Sequence, residues 1–200
     1  IDVPILKELN ALDYAIYLRE VRNAIELYRE ENIPLFIELT NKAQKFGEIS
    51  AQMTVKIDGE EKTLQQASVF LKDKDREKRK EAFEKINARR LLDKKRLDEL
   101  LDELIEKRQL VAKHANFDNY IDYKFQAMGR FDYDKADCFA FHKSIAEEII
   151  PLMKEIHMER KELLGNEVLK PWDMQVDPNG NKPLKPFEGG EELLEKCIAC

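Results

Sequence analysis

Apolar residues along most of this chain recur every third or fourth position, the period of one helix face. Ile5, Leu9, Leu12 and Ile16 open the pattern. Asp2 and Pro4 precede them, and Pro suits a first helical turn. The stripe then changes phase to Leu18, Val21, Ile25 and Tyr28. This predicts either one long helix whose buried face rotates or a second helix starting near Asn10 or Asp13. Asn32-Ile33-Pro34 breaks the pattern, and a helix over Pro34 to Phe46 follows, with Gly47 as its stop.

The period changes to two at Met53, Val55 and Ile57, which alternate with Thr54 and Lys56. Asp58-Gly59 follows, a favoured hairpin turn pair. One β-hairpin over about residues 52–63 is therefore expected. Two strands are marginal alone, so it must lie against helices. Thr63-Leu64-Gln65-Gln66 has the form of a capping box opening a short helix to Leu71.

Asp73 or Asp75 then caps a long helical segment. No Gly or Pro occurs from Asp73 to Asn116, and an unbroken helix there would be ~60 Å long. Asn116 or Asp118 is expected to start a short helix with Tyr120, Ile121 and Tyr123, interrupted by Gly129. Asp134 caps a helix over Lys135 to Leu164 that ends at Gly165, and Pro151 inside it should kink it by removing a backbone donor. Residues 171–190 differ in kind, holding four of the seven Pro and three of the seven Gly. They form a Pro/Gly-rich connector with a turn at Asp177-Pro178-Asn179-Gly180. A connector this long is functional or pinned against another part of the protein.

The pattern predicts a mainly α protein: a long-helix array with one small β-hairpin. Composition agrees. Of 200 residues, 43% are hydrophobic, enough for a core, and only 7 are Gly and 7 Pro, too few for an all-β sandwich. No apolar run approaches the ~20 residues needed to cross a bilayer. The net charge of −6 argues against a general nucleic-acid binder. Three Cys make no disulfide framework, so a cytoplasmic location is the default. The chain opens on Ile1, and Leu193, Leu194, Cys197 and Ile198 form a helical stripe with no Gly or Pro after it. The expectation is a piece of a longer protein, with exposed apolar surface at Trp172, Leu193, Leu194 and Ile198.

Candidate chemistry is sparse. His114, His142 and His157 lie in no His-Glu-x-x-His, the spacing that puts two ligands and a base on one helix face. They are expected to be packing or surface histidines. Cys197-x-x-Cys200 has the spacing of half a zinc site, but only Cys138 remains to complete it. The basic run from Lys72 to Arg96 is interleaved with Asp73, Asp75, Glu77, Glu81 and Glu84, which predicts a solvated face of helical ion pairs. Phe131, Tyr133, Phe139 and Phe141 are expected to pack as a core around a helix start. Gly189-Gly190 has no phosphate-loop signature. The residues alone therefore define no catalytic residue and no metal ligand, and leave substrate-binding residues unknown.

Five segments, in order, nevertheless resemble one family. They are Gly59 to Ala67 (GEEKTLQQA), Asp75 to Arg79 (DREKR), Asn119 to Tyr123 (NYIDY), Gly129 to Tyr133 (GRFDY) and Leu169 to Asp173 (LKPWD). They are similar to stretches of oligoendopeptidase F, of the thimet-oligopeptidase-like zinc metallopeptidases. The resemblance implies that residues 1–200 are a partial chain of a helical, zincin-like channel peptidase, from the region before the zinc motif. It implies a zinc cofactor in the full-length enzyme and none bound by this fragment. It implies short peptide substrates and the missing catalytic half of the same chain as partner; the charge balance and the lack of a long apolar run lead us to expect no nucleic-acid or membrane partner. The segment would form channel wall and packing surface. A non-enzymatic helical scaffold or interaction domain is the alternative from another class.

Overall fold

A computed structural model describes residues 13–181, 184 and 186–199. The expected helix opening at Asp2-Pro4 lies outside the described residues. The rest is mostly helix, and one antiparallel hairpin is the only sheet among the described residues. Its helices are α1 (Ala15–Leu27), α2 (Asn32–Ala51), α3 (Leu64–Ser68), α4 (Arg76–Leu92), α5 (Lys94–His114), α6 (Tyr120–Ala127), α7 (Lys135–Ser144), α8 (Ile150–Leu163) and α9 (Gly189–Ile198). The strands are β1 (Thr54–Ile57) and β2 (Glu60–Thr63). The mainly α expectation with one hairpin is borne out. No helix among the described residues is long and apolar enough to cross a membrane.

The described residues divide into two compact units, those within 13–54 and 88–151 and those within 55–87 and 152–199. In the first unit α2 packs on α5. Leu35, Val111, Ala112, Ala115 and Tyr123 form the core, edged by Leu27, Leu39, Phe117 and Tyr120. Asn32 is buried at the start of α2 and its amide donates to the Val111 carbonyl at 3.1 Å. Its side-chain oxygen must then accept, so the His114 Nδ1 2.8 Å away carries the proton. Arg29 Nε donates to the His114 carbonyl at 2.9 Å. Three polar groups thus tie the start of α2 to the end of α5, and His114 is a packing histidine.

In the second unit the hairpin lies on helices, as its size requires. Asp58 (φ 53°) and Gly59 (φ 81°) both take the left-handed region that a type I′ turn needs. Ile57 on β1 packs with Ala67, Leu71, Ala82 and Ile86. Burying a side chain such as Ile57 or Ile86 contributes about 1.5–3 kcal/mol. Thr63 and Gln66 form the expected reciprocal capping box, with bonds of 3.2 and 2.9 Å.

Four expectations need correction. Gly47 does not stop α2, which starts at Asn32 and runs on to Ala51. Its cost of ~1 kcal/mol is outweighed because Ile49, one turn from the end, is 2% exposed. The 73–116 segment is not one helix. It breaks at Asp93 (φ −96°, ψ 6°), between α4 and α5. Asp93 leaves helical geometry while Arg89 holds its carboxylate at 2.6 Å and also reaches the Gln52 carbonyl. Neither Asn116 nor Asp118 caps α6. Asn119 does, accepting from the Asp122 amide at 3.0 Å, while Asn116 (φ 65°) closes α5 in a Schellman turn whose Phe117 N–H reaches the Ala112 carbonyl.

The fourth correction concerns the aromatics. Phe131, Tyr133, Phe139 and Phe141 are 37%, 45%, 66% and 64% exposed, so they form no core among the described residues. Asp134 does cap α7 with Asp137 in a capping box. The expected irregularity at Pro151 takes the form of a π-helical turn over Ile145–Ile149, which re-spaces the carbonyls before a residue with no N–H. No described residue from Lys135 to Leu163 is buried, although Phe139, Phe141, Ile150, Leu152 and Ile156 lie along it. Leu193, Leu194 and Ile198 on α9 are also exposed, and Trp172 is half-buried.

Candidate functional site

Within the second unit, Asp75 to Arg79 and Leu169 to Asp173 meet. Asp173 is fully buried at the end of a short 3₁₀ turn, Pro171–Asp173. Its two oxygens accept from Arg76 Nε at 3.1 Å, Arg76 Nη2 at 2.8 Å, Arg79 Nη2 at 2.9 Å and the Lys170 amide at 2.9 Å. Arg79 is 2% exposed and spends its other donors on the carbonyls of Trp172, Asp73 and Lys74. Arg160 on α8 donates to the Asp173 and Val176 carbonyls. Burial pushes the Asp173 carboxyl up, but the bonds from Arg76, Arg79 and the Lys170 amide outweigh it and hold its pKa at about 2.

This cluster pins the first part of the 171–190 segment. Trp172 packs against Phe83 with the rings tilted by 59° and their centroids 5.7 Å apart. Every donor aimed at Asp173 comes from the same unit, so the network is satisfied without a ligand. It also qualifies the reading of the 72–96 run. Lys80–Glu77, Lys85–Glu81, Lys94–Asp98 and Lys95–Glu99 are helical ion pairs on a solvated face. Arg76 and Arg79 leave that face for Asp173.

The other two interior segments, Asn119 to Tyr123 and Gly129 to Tyr133, meet in the first unit around an open groove of about 860 Å³. Gly129 (φ 66°) ends α6 in a left-handed turn, its N–H on the Gln126 carbonyl and that of Arg130 on the Phe125 carbonyl. That turn sends the next four residues into the groove. Arg130 lies over the Phe125 ring at 5.1 Å and the Tyr133 ring at 5.9 Å. Phe125 and Tyr133 meet edge to face at 5.9 Å. Arg19 covers Phe131 at 4.6 Å and pairs with Asp132 at 3.6 Å. Lys135 bonds Asp122 at 2.8 Å. That bond, with one from Asn119, lowers the Asp122 pKa.

Sequence reasoning attached no role to Arg130 or Asp173. The signal was present as spacing: an Arg five residues after one aromatic and three before another, and a Pro-Trp-Asp after a long helix. Among the described residues, no three His, Cys, Asp or Glu side chains converge as a metal ion needs. His142 lies between Phe139 and Phe141, at 6.3 and 6.5 Å. His157 is half-buried on α8, Cys138 is half-buried and Cys197 exposed. Cys200 lies outside the described residues. No metal ligand is assigned among the described residues.

A search of curated proteins returned no match. Three solved structures share the fold. Two are described as oligoendopeptidase F: one has 24% identity and a TM-score of 0.84, over 90% of this chain and 32% of its own. The other, from Bacillus anthracis strain Ames, has 23% identity and a TM-score of 0.87, over 100% and 36%. PZ peptidase A, solved with an inhibitor, has 24% identity and a TM-score of 0.79, over 83% and 30%. At these identities the likeness is one of fold, and the chain spans about a third of the length of the structures it matches. The sequence profile of peptidase family M3 matches residues 69–195, more than half of the chain. The chain belongs to peptidase family M3.

Proposed function

We propose that this chain is the helical part of a zinc metalloendopeptidase that hydrolyses short oligopeptides, and that it supplies channel wall and packing surface rather than the metal. The family match over residues 69–195 carries the reading. Two further observations support it. No three potential ligands converge among the described residues, and we place the zinc and its activated water outside them as part of this reading. And the stretch from Lys135 to Leu163 carries exposed apolar side chains such as Phe139, Phe141, Ile150, Leu152 and Ile156 and buries no described residue, which suits a surface covered by the catalytic half of the same chain. When bound, the metal would polarise the scissile carbonyl and generate the attacking hydroxide. The residues described here would confine and orient the peptide. A cytoplasmic enzyme without nucleic-acid or membrane partners is the setting we propose.

Cleavage of a short quenched-fluorescent peptide by a longer chain carrying His-Glu-x-x-His tests this. Cleavage should stop with a chelator, return with zinc, and spare a folded protein substrate. Cleavage indifferent to the chelator would sink the reading.

A further inference from the structure

The arginine in the first unit's groove packs on two rings but leaves its N–H fork without a partner among the described residues. Arg130 is half-buried, and its guanidinium is held over Phe125 and Tyr133. It forms no ion pair or side-chain hydrogen bond among the described residues. Arg19, its neighbour over Phe131, has Asp132, and Lys135 has Asp122. Arg130 alone of these three cations keeps its donors unspent. Stacking on rings fixes a guanidinium plane without consuming its N–H fork, and that fork matches a carboxylate in two parallel bonds.

The groove is large enough for such a ligand, at about 860 Å³. Five carboxylates line it with only Arg130 and Lys135 as cations. Asp122 holds Lys135 and Asn119, Asp132 holds Arg19, and Asp134 and Asp137 close the α7 capping box. Glu26, Asp134 and Asp137 on its lining have no cationic partner among the described residues and repel an anion, so only the Arg130 fork favours one, and only a single carboxylate at that point.

We propose that this groove is a peptide subsite in which Arg130 receives a single carboxylate, either the C-terminus or an Asp or Glu side chain. That the carboxylate is carried by a peptide rests on the peptidase reading. The recognition chemistry does not.

The test is fluorescence anisotropy on the 200-residue chain with four labelled pentapeptides of Ala and Gly. They carry a free or amidated C-terminus, each with Glu or Gln at the centre. Either carboxylate should tighten binding about tenfold over the amidated Gln peptide, the size of one charge-assisted pair. The arm that gains more identifies the source. Arg130→Met should erase the difference and Arg130→Lys should keep part of it, with unchanged helical circular dichroism. Equal affinity for all four peptides, or no binding, overturns the proposal on the unaltered chain whether or not the variants fold. So does a folded Arg130→Met chain that keeps the preference. No metal or cleavage enters this measurement. A carboxylate preference would stand even if the longer chain proved not to be a peptidase, and chelator-sensitive cleavage would stand if the groove bound nothing.

Discussion

Asp173 and Asp122 accept bonds from basic side chains in the two units, yet the two sites are built for different ends. Asp173 has a fully buried side chain and takes Arg76, Arg79 and the Lys170 amide. Asp122 is 40% exposed at its side chain and takes one flexible lysine beside an open groove. Removing either charge breaks an ion pair, but only at Asp173 does a cation remain trapped out of water. Burial, not the pairing itself, makes the first site a structural clamp and leaves the second an exposed pair beside an open groove.

The largest expected effect is therefore Asp173→Ala. It leaves Arg79 without its carboxylate at 2% exposure, which costs ~3–5 kcal/mol. Urea unfolding should show it, together with faster amide exchange over residues 168–176. A loss no greater than that of an exposed pair would erase the contrast between the sites.

Acid should act through the same residue. The folded-state pKa of Asp173 is about 2, below the ~3.9 of an unfolded aspartate. Its stabilisation is thus present above pH ~4 and lost as pH falls towards 2, amounting to about 2–3 kcal/mol. Asp173→Asn should flatten that part of the stability profile between pH 4 and 2. An unchanged slope in the variant would assign the acid sensitivity to other carboxylates.

The smallest effect is expected in the groove. Lys135→Ala should leave the melting temperature unchanged at high salt and lower it slightly at low salt, because exposed pairs are screened. A large loss independent of salt would make the groove structural too.

The parts of this fold legible in the sequence are those fixed by local chemistry. Asp58-Gly59 set the hairpin, Thr63 with Gln66 and Asp134 with Asp137 set two helix starts, and Pro151 marked an irregular turn. The failures arose where tertiary contacts overrode local preference. Gly47 stayed helical because Ile49 beyond it is buried, and Asp93 broke a segment containing no Gly or Pro. The aromatics from Phe131 to Phe141 looked like a core because periodicity reports apolarity, not what covers it. The resemblance supplied segments without roles. The Asp173 clamp and the Arg130 groove emerge only when residues distant in sequence meet.

The central claim is that this chain holds and orients while the metal belongs to residues outside those described. Metal analysis of the purified 200-residue chain after dialysis against zinc tests it most directly. We predict zinc well below one per chain, unchanged when Cys197 and Cys200 are both replaced by Ser. One tightly held zinc per chain, lost in that double variant, would place a metal site within these residues and contradict the account.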